Sequence, residues 1–292
     1  MVKIAVKSPI AEDQPLYAAV HRPPQARLLA SGDGWKICDV VCGASPRDSA
    51  FEEIHTQTSI AIVASGTFQY RTATGCELMT PGSLLLGNSR DAFACGHDHS
   101  AGDRCISFHY SNEFCDLSGV DPDRRHFQIP RIPPIRALSS LVASVVTLLH
   151  HPRDHEAFRE AAFRVFDRTA RLQNGFASSF RPYQRSSVAG VARALRAIEE
   201  DPAAPHLLSN LAEEARLSPY HFLRTFENIA GCTPRQFLLR TRLRRAALRL
   251  KHGSARIIDI ALDSGFGDVS NFNHAFRAEF GMSPRIYRSR QG

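Results

Sequence analysis

Histidine and cysteine side chains are concentrated in residues 94–110, which have the sequence ACGHDHSAGDRCISFHY. Alternate side chains of an extended strand share one face, so Cys95, His97 and His99 are predicted to lie together on one face of a strand. A three-residue hairpin loop after His99 would pair His97 with Cys105 and bring the Cys105 thiol beside that face. The segment therefore predicts a binding site of imidazole and thiol groups.

Imidazole and thiolate ligands together suit Zn, Cu, Ni or Co. His55, and Cys42 at the end of an earlier strand, are candidates to complete such a site. Two other interpretations remain open: His97 and His99 can bind an organic anion, or they can form hydrogen bonds with neighbouring groups such as Asp103, while the cysteines pack as small apolar side chains. The ligand-binding candidates are His55, Cys95, His97, His99 and Cys105, and the metal-binding candidates are His97, His99 and Cys105.

Short strands separated by turns are predicted around this segment. Apolar and polar residues alternate in six runs, and the breaks between them contain Gly and Pro. Six or more strands at such spacing predict a barrel or a sandwich, whereas residues 1–30 give no firm signal. The six runs are Trp35–Cys42, Thr58–Ala64, Thr67–Ala73, Ser83–Leu86, Ala92–His97 and Arg104–Tyr110.

The hydrophobic period changes from two to that of a helix after the proline-rich residues 130–134. Two amphipathic helices are predicted, at Arg136–His150 and His155–Leu172, and they either pack on their own barrel or join two subunits. Residues 174–187 are rich in Ser, Gly and Arg and predict a linker. The predicted domains are a sensor domain over 1–135, a helical segment over 136–173, a linker over 174–187 and a helical domain over 188–292.

The positive charge is confined to the C-terminal part of this 292-residue chain. Residues 181–292 contain 18 Lys and Arg residues against 10 Asp and Glu residues, whereas residues 1–180 contain 18 and 19. A basic domain joined to a neutral one favours a polyanionic partner. No apolar run is long enough to span a bilayer, and the N-terminus resembles no signal peptide. The seven cysteines, an odd number, are typical of reduced thiols, so we expect a cytoplasmic protein.

The C-terminal region contains an internal repeat, with copies at Leu208–Pro234 and Ile257–Pro284. Each copy predicts two helices joined by a turn, and the second helix of the first copy starts at Ser218-Pro219. A helix over Thr233–His252, about 28 Å long, separates the copies. The aligned positions are Leu211, Ala212 and Leu217 with Ile260, Ala261 and Phe266, and Phe222, Phe226, Gly231 and Pro234 with Phe272, Phe276, Gly281 and Pro284.

This repeat resembles the DNA-binding domain of AraC/XylS-type transcriptional regulators over about Val188–Arg288, most densely over Ile258–Arg288. The positions that carry the resemblance are Ile260, Ala261, Gly265, Phe266, Ser270, Phe272, Phe276, Gly281, Pro284, Tyr287 and Arg288. The resemblance implies a ligand-controlled regulator rather than an enzyme. Its partners would be double-stranded DNA, RNA polymerase, a small-molecule or metal effector and a second copy of the chain, with no membrane.

The resemblance also implies that exposed residues near the start of each second helix read base edges. In the first copy we expect Arg224 to bond guanine, and in the second we expect Asn271 or Asn273 to read adenine. Arginines of the intervening helix are predicted to contact phosphate. The DNA-binding candidates are Tyr220, His221, Arg224, Thr225, Ser270, Asn271, Asn273, His274, Arg277, Arg240, Arg242 and Arg244.

The strand-rich region is similar to the cupin-like sensor domains of this family, through FEEIH at 51–55, Gly66 and the Pro81-Gly82-Ser83 turn. The predicted fold is thus α+β and multidomain: an N-terminal cupin-like β-barrel followed by helices, then an all-α domain with two helix-turn-helix units. Two alternatives remain open, a metal-dependent cupin enzyme with a helical appendage and a metal-sensing regulator. No cofactor is required, but a transition metal such as Zn in the first domain is compatible with the cluster.

Overall fold

The computed structural model describes residues 24–44, 51–73, 75–97, 102–151, 154–176 and 185–289. Within these ranges ten strands form two antiparallel sheets. A six-stranded sheet has the order β1-β2-β9-β4-β7-β10, and a four-stranded sheet has the order β3-β8-β5-β6. The strands are β1 (Gln25–Gly32), β2 (Trp35–Cys42), β3 (Phe51–Ile54), β4 (Thr58–Ser65), β5 (Phe68–Thr72), β6 (Gly75–Met79), β7 (Leu84–Gly87), β8 (Ala92–Gly96), β9 (Asp103–Tyr110) and β10 (Arg131–Ile132).

The six-stranded sheet is covered on both faces, which explains its strongly apolar central strand. In β4, Ile60 and Ile62 face the helices that follow the sheets, whereas Ala61 and Val63 face the four-stranded sheet. This alternation places two apolar layers on one strand. The six predicted strands are present, with ends shifted by a residue or two. The sequence patterns missed β1, β3, β6 and β10, which are short, charged or partly exposed.

Three helices follow the last long strand: α1 (Asn112–Leu117), α2 (Arg136–Leu148) and α3 (His155–Leu172). The bounds of α3 are those predicted, and its first turn is capped by the Asp154 carboxylate, which accepts a hydrogen bond from the Ala157 amide at 3.0 Å. Its apolar face packs on the six-stranded sheet, where the Tyr110 hydroxyl donates to the Ala162 carbonyl at 2.8 Å.

Helix α2 packs on two partners at once. Leu138, Leu141 and Val145 join the core beneath the six-stranded sheet. On another side, Ala143 belongs to the core of the C-terminal helices, and the Ser139 hydroxyl donates to the Glu279 carboxylate. Because both sides are occupied, α2 connects the β-rich region to the C-terminal helices.

The C-terminal region consists of α4 (Arg185–Glu200), α5 (Leu208–Glu214), α6 (Pro219–Ala230), α7 (Pro234–His252), α8 (Ile257–Asp263), α9 (Val269–Phe280) and α10 (Pro284–Ser289). Helix α4 begins inside the predicted linker. Helix α7 starts with a capping box between Thr233 and Gln236. In the described part of the chain, no helix combines the length and apolar character needed to cross a bilayer.

The pairs α5–α6 and α8–α9 contain the same turn. In the first pair, the Leu217 amide donates to the Ala212 carbonyl at 2.9 Å; in the second, the Phe266 amide donates to the Ala261 carbonyl at 3.1 Å. Each turn needs one residue with a positive φ angle. Gly265 supplies it in the second pair at 83°, whereas in the first pair Arg216 is held at 57°. Glycine adopts this conformation without the steric cost of a Cβ atom, so the first turn is strained where the second is not.

The two regions approach closely where Gly82 meets α7. A Cβ atom at Gly82 would lie 2.7 Å from a terminal guanidinium nitrogen of Arg244, which is closer than van der Waals contact allows. The absence of a side chain at Gly82 therefore makes room for this arginine. Nearby, the Arg240 guanidinium donates to the Pro134 carbonyl at 2.8 Å.

We predict that Arg216→Gly stabilises the protein by about 1 kcal/mol. Glycine removes the strain of the left-handed conformation, and this gain exceeds the stability lost because glycine makes the unfolded chain more flexible. Arg216→Ala is the matched control, since it removes the same side chain but keeps the Cβ atom. The midpoint of thermal unfolding should be higher for the glycine variant than for the alanine variant. Equal midpoints for the two variants would show that the turn is not strained.

Candidate functional site

A cavity of about 490 Å³ lies between the two sheets. Its walls contain four of the five predicted ligand-binding residues, whereas His99 lies outside the described residues. Apolar side chains such as Phe68 and Phe93 line the rest of the cavity together with several polar groups. The four predicted residues are His55, Cys95, His97 and Cys105, and the polar groups that the sequence analysis did not select include Glu53, Ser107 and His109.

The predicted hairpin pairing between His97 and Cys105 is wrong. Strand β8 pairs with β3 and β5, whereas β9 pairs with β2 and β4, so the two strands belong to different sheets. Their side chains meet because the sheets face each other across the cavity. The alternation that was predicted for β8 still holds, since Cys95 and His97 both line the cavity.

The closest group of polar side chains consists of Cys42, His97 and Asp103. One donor atom from each of these three buried residues lies within 4.8 Å of the others. His97 Nε2 is 2.5 Å from Asp103 Oδ2, and the Cys105 thiol donates to Asp103 Oδ1 at 3.6 Å. The contact of His97 with Asp103 is one of the alternatives that the sequence left open. Cys42 and Asp103 are direct cross-strand partners of β2 and β9, which fixes their proximity.

The cluster holds a charged pair beside neutral thiols. Desolvation alone lowers the pKa of His97, but hydrogen bonds to Asp103 and Cys42 outweigh it and raise the pKa to about 9. The imidazole is therefore protonated at neutral pH and pairs with the Asp103 carboxylate. Burial, and then the charge of Asp103, raise the pKa of the Cys95 and Cys105 thiols, so both are neutral.

His55 and His109 are neutral groups in the same cavity. Burial lowers the pKa of each to about 4. The Tyr70 hydroxyl donates to the Leu86 carbonyl at 3.1 Å, so it accepts the hydrogen bond from His55 Nε2 at 2.8 Å. His109 lies between two serines, with Ser59 Oγ 3.1 Å from its Nδ1 and Ser107 Oγ 3.0 Å from its Nε2. These rings are held as fixed polar groups that face the cavity.

A second candidate surface is formed by helices α6 and α9. Ser218 caps α6 by accepting from the His221 amide, and Asp268 caps α9 by accepting from the Asn271 amide at 2.8 Å. The phenylalanines at i and i+4 are buried in both helices, so the opposite face is directed to solvent. The predicted base-reading residues lie on this outer face; Tyr220, His221, Arg224, Ser270, Asn271, Asn273, His274 and Arg277 are exposed, and Thr225 is half-buried.

The side chains on this outer face differ in their exposure and in the contacts that they already form within the protein. Tyr220 is 71% exposed, and the Arg224 guanidinium lies 5.9 Å from the centre of its ring. The side-chain Nδ2 of Asn271 donates to Asp268 Oδ2 at 2.6 Å, so part of the hydrogen-bonding capacity of this side chain is used within the helix cap. Asn273 is therefore the better placed of the two asparagines to contact a base edge.

The α7 arginines predicted to contact phosphate have protein partners instead. Arg242 donates to the carbonyls of Pro202 at 2.6 Å and Gly265 at 2.8 Å. Arg240 pairs with Glu279, and Arg244 pairs with Glu199 across a largely buried contact. In this conformation their guanidinium groups are therefore occupied within the protein. Charge and spacing alone gave no sign of this, because the partners are backbone carbonyls and acids of distant helices.

Comparison with known proteins identifies the C-terminal region. Residues 211–290 match the family model described as a helix-turn-helix domain. A putative AraC-like transcription regulator from Streptomyces lividans is 35% identical over 98 residues, which cover 34% of this chain and 32% of that protein. The transcriptional activator RhaS from Escherichia coli is 40% identical over 78 residues, covering 27% of this chain and 28% of that protein. The match thus spans about a third of the length of each relative.

A solved structure of ToxT from Vibrio cholerae with a bound unsaturated fatty acid aligns with 88% of this chain and 95% of its own, at 15% identity and a TM-score of 0.36. The match to the family model lies within the C-terminal helices. Residues 211–290 of this chain therefore form a helix-turn-helix domain similar to those of AraC-like transcription regulators.

Proposed function

We propose that the protein is a transcription regulator in which two helix-turn-helix units bind double-stranded DNA and a ligand in the cavity of a cupin-like N-terminal domain controls that binding. The observation that carries the proposal is the repeated pair α5–α6 and α8–α9, with equivalent turns and with polar outer faces on both second helices. RNA polymerase is the further partner through which such a regulator acts.

The length of α7 supports simultaneous binding of both units. At 1.5 Å per residue, its 19 residues extend about 28 Å. Successive major grooves on one face of B-DNA are about 34 Å apart. With α7 as a spacer between them, α6 and α9 would reach two such grooves without large distortion of the DNA. Helices α6 and α9 would then read two adjacent groove segments.

Helix α2 supports control by the N-terminal domain. It packs on the six-stranded sheet, which forms one wall of the cavity, and on the core that contains α9. Arg244 adds a second connection, from α7 to the turn at Gly82. A ligand that changes the spacing of the two sheets therefore acts on the helices that carry the DNA-reading surface. The effector class is left open by this proposal.

We predict that Arg224→Ala weakens specific DNA binding by about 10- to 100-fold and relaxes the preference at one base position, because a bidentate contact to guanine is lost. Arg124→Ala is the control, since it removes one positive charge from an exposed position between α1 and α2 and leaves both α6 and α3 intact. Selection from random DNA sequences, followed by anisotropy titrations, measures both effects. If Arg224→Ala matches Arg124→Ala in affinity and preference, Arg224 does not read a base.

We predict that Arg242→Ala lowers the free energy of unfolding by about 1–3 kcal/mol, because the carbonyls of Pro202 and Gly265 lose their donor. The salt dependence of DNA binding should stay unchanged, since the lost group contacts no phosphate. Arg256→Ala, at an exposed ion pair with Asp259, is the charge-matched control and should leave the free energy of unfolding nearly unchanged. A shallower salt dependence with unaltered stability would restore the phosphate role for Arg242.

We predict that the protein forms a dimer through α3. Of the two helices considered for self-association, α2 is occupied on two sides, whereas α3 exposes 48% of Phe163. Phe163→Glu should yield a monomer in sedimentation at tens of micromolar, while Leu117→Glu, which places the same charge on exposed α1, should remain dimeric. A wild-type monomer at that concentration, or dissociation by both variants, would contradict the assignment.

A further inference from the structure

Sulfur, nitrogen and oxygen donors converge at one end of the cavity wall. Cys42 ends β2, His97 directly follows β8, and Asp103 begins β9. Their donor atoms lie within 4.8 Å of one another, and all three residues are buried. The Cys105 thiol is not one of this group of three, but it lies 3.6 Å from the second carboxylate oxygen of Asp103. Three strands from two sheets thus contribute to a group of the size that a single ion requires.

The donor types select a class of ion. Thiolate and imidazole ligands with one carboxylate suit Zn²⁺ and Co²⁺, which accept four ligands in a tetrahedral arrangement. Ca²⁺ and Mg²⁺ require mostly oxygen ligands and do not fit this set. With the adjacent Cys105 as a fourth ligand, the set would match the closed coordination of a structural or regulatory site.

The burial of these groups supports an ion rather than a simple polar contact. The side chains of His97 and Asp103 are 3% and 6% exposed. A charged pair at this depth loses most of its hydration, so its free energy depends on the few groups that contact it. The cavity gives an ion access to all four donors, because each of them lines it.

We propose that Cys42, His97, Asp103 and Cys105 bind one divalent transition-metal ion of the Zn²⁺ class, and that this ion is the effector that sets DNA affinity. The second half of the proposal rests on the proposed function, whereas the first half does not. Of the three metal ligands expected from the sequence, the set keeps His97 and Cys105 and adds Cys42 and Asp103. The third expected ligand, His99, lies outside the described residues. Binding joins β2 and β9 of one sheet to the end of β8 in the other, and so fixes the spacing of the two sheets.

Titration of the metal-free, full-length protein with Co²⁺ tests the site directly. We expect one Co²⁺ per chain, with the thiolate charge-transfer band and the intense visible absorption of tetrahedral cobalt, both lost on addition of Zn²⁺. Cys42→Ser, which is close in size to the native residue, should abolish the charge-transfer contribution of that sulfur and weaken binding by more than about 100-fold. His97→Ala should also weaken Co²⁺ binding, although it removes no sulfur ligand. Circular dichroism establishes whether each variant is folded.

Two control variants exclude other histidines. His109→Ala changes the same cavity outside the cluster, and His252→Ala disrupts an exposed group in which the rings of His150 and His252 lie 4.1 Å apart. Both variants should retain the cobalt spectrum at one equivalent. The site is overturned if the wild type gives no thiolate band, or if Cys42→Ser binds Co²⁺ as the wild type does.

The regulatory half is measured separately, by anisotropy titration of a selected DNA sequence with metal-free and Zn²⁺-loaded protein. We expect at least a tenfold difference in affinity in the wild type and none in Cys42→Ser. Equal affinities of the two wild-type forms would overturn the effector role. Failure of both forms to bind any DNA would instead overturn the proposed function, while the cobalt result still decides the metal site.

Discussion

Helix α2 is packed between two cores, and this packing is the main apolar constraint on the relation between the two parts of the molecule. Leu138 and Leu141 are buried beneath the six-stranded sheet, and Ala143 is buried among the C-terminal helices. Close-packed cores resist small displacements and transmit them instead. A shift of the sheet relative to α2 therefore reaches α7 and α9 without any flexible intermediary among the described residues.

Many of the arginines that make the C-terminal region basic form hydrogen bonds or ion pairs within the protein. Arg240, Arg242 and Arg244 bond to carbonyls and acids of other segments. Arg245 donates to the Glu199 carbonyl, and Arg249 pairs with Asp263. An excess of arginine on a helix is thus a poor guide to phosphate contact, because the guanidinium fork is equally suited to satisfying helix-end carbonyls. Arg224 of α6 and Arg277 of α9, by contrast, are exposed on the outer faces of their helices.

The sequence predicted the C-terminal helices well because their signals are local. Caps such as Ser218 and Asp268, and the phenylalanine pairs, are determined within one or two turns of helix. The bounds of α3 followed from periodicity in the same way. The partners of the α7 arginines were not predictable, since they depend on tertiary contacts with other elements, such as those of Arg242 with Pro202 and of Arg244 with Glu199.

Some residues of the cavity were predicted from the sequence, but they come together through a different strand pairing from the one expected. Alternation along β8 identified Cys95 and His97 correctly as neighbours on one face. The register with Cys105 was wrong because a short separation between two strands suggests a hairpin, whereas β8 and β9 belong to different sheets. Asp103 was considered only as a hydrogen-bond partner, since its position opposite Cys42 depends on the pairing of β9 with β2. Local patterns carry no information on such pairings.

The contact of Gly82 with Arg244 limits how this molecule can be recombined. A guanidinium group 2.7 Å from the position of a missing Cβ atom means that another residue on that turn would have to displace the Arg244 side chain, and the positive φ angle of Gly82 further disfavours such a residue. A chimaera that joins this β-rich region to a different helical domain would leave the notch at Gly82 empty unless that domain also had an arginine at the position of Arg244. In the reverse chimaera, the arginine would meet a side chain wherever the turn had a residue other than glycine. The fit of the two parts therefore depends on both positions together.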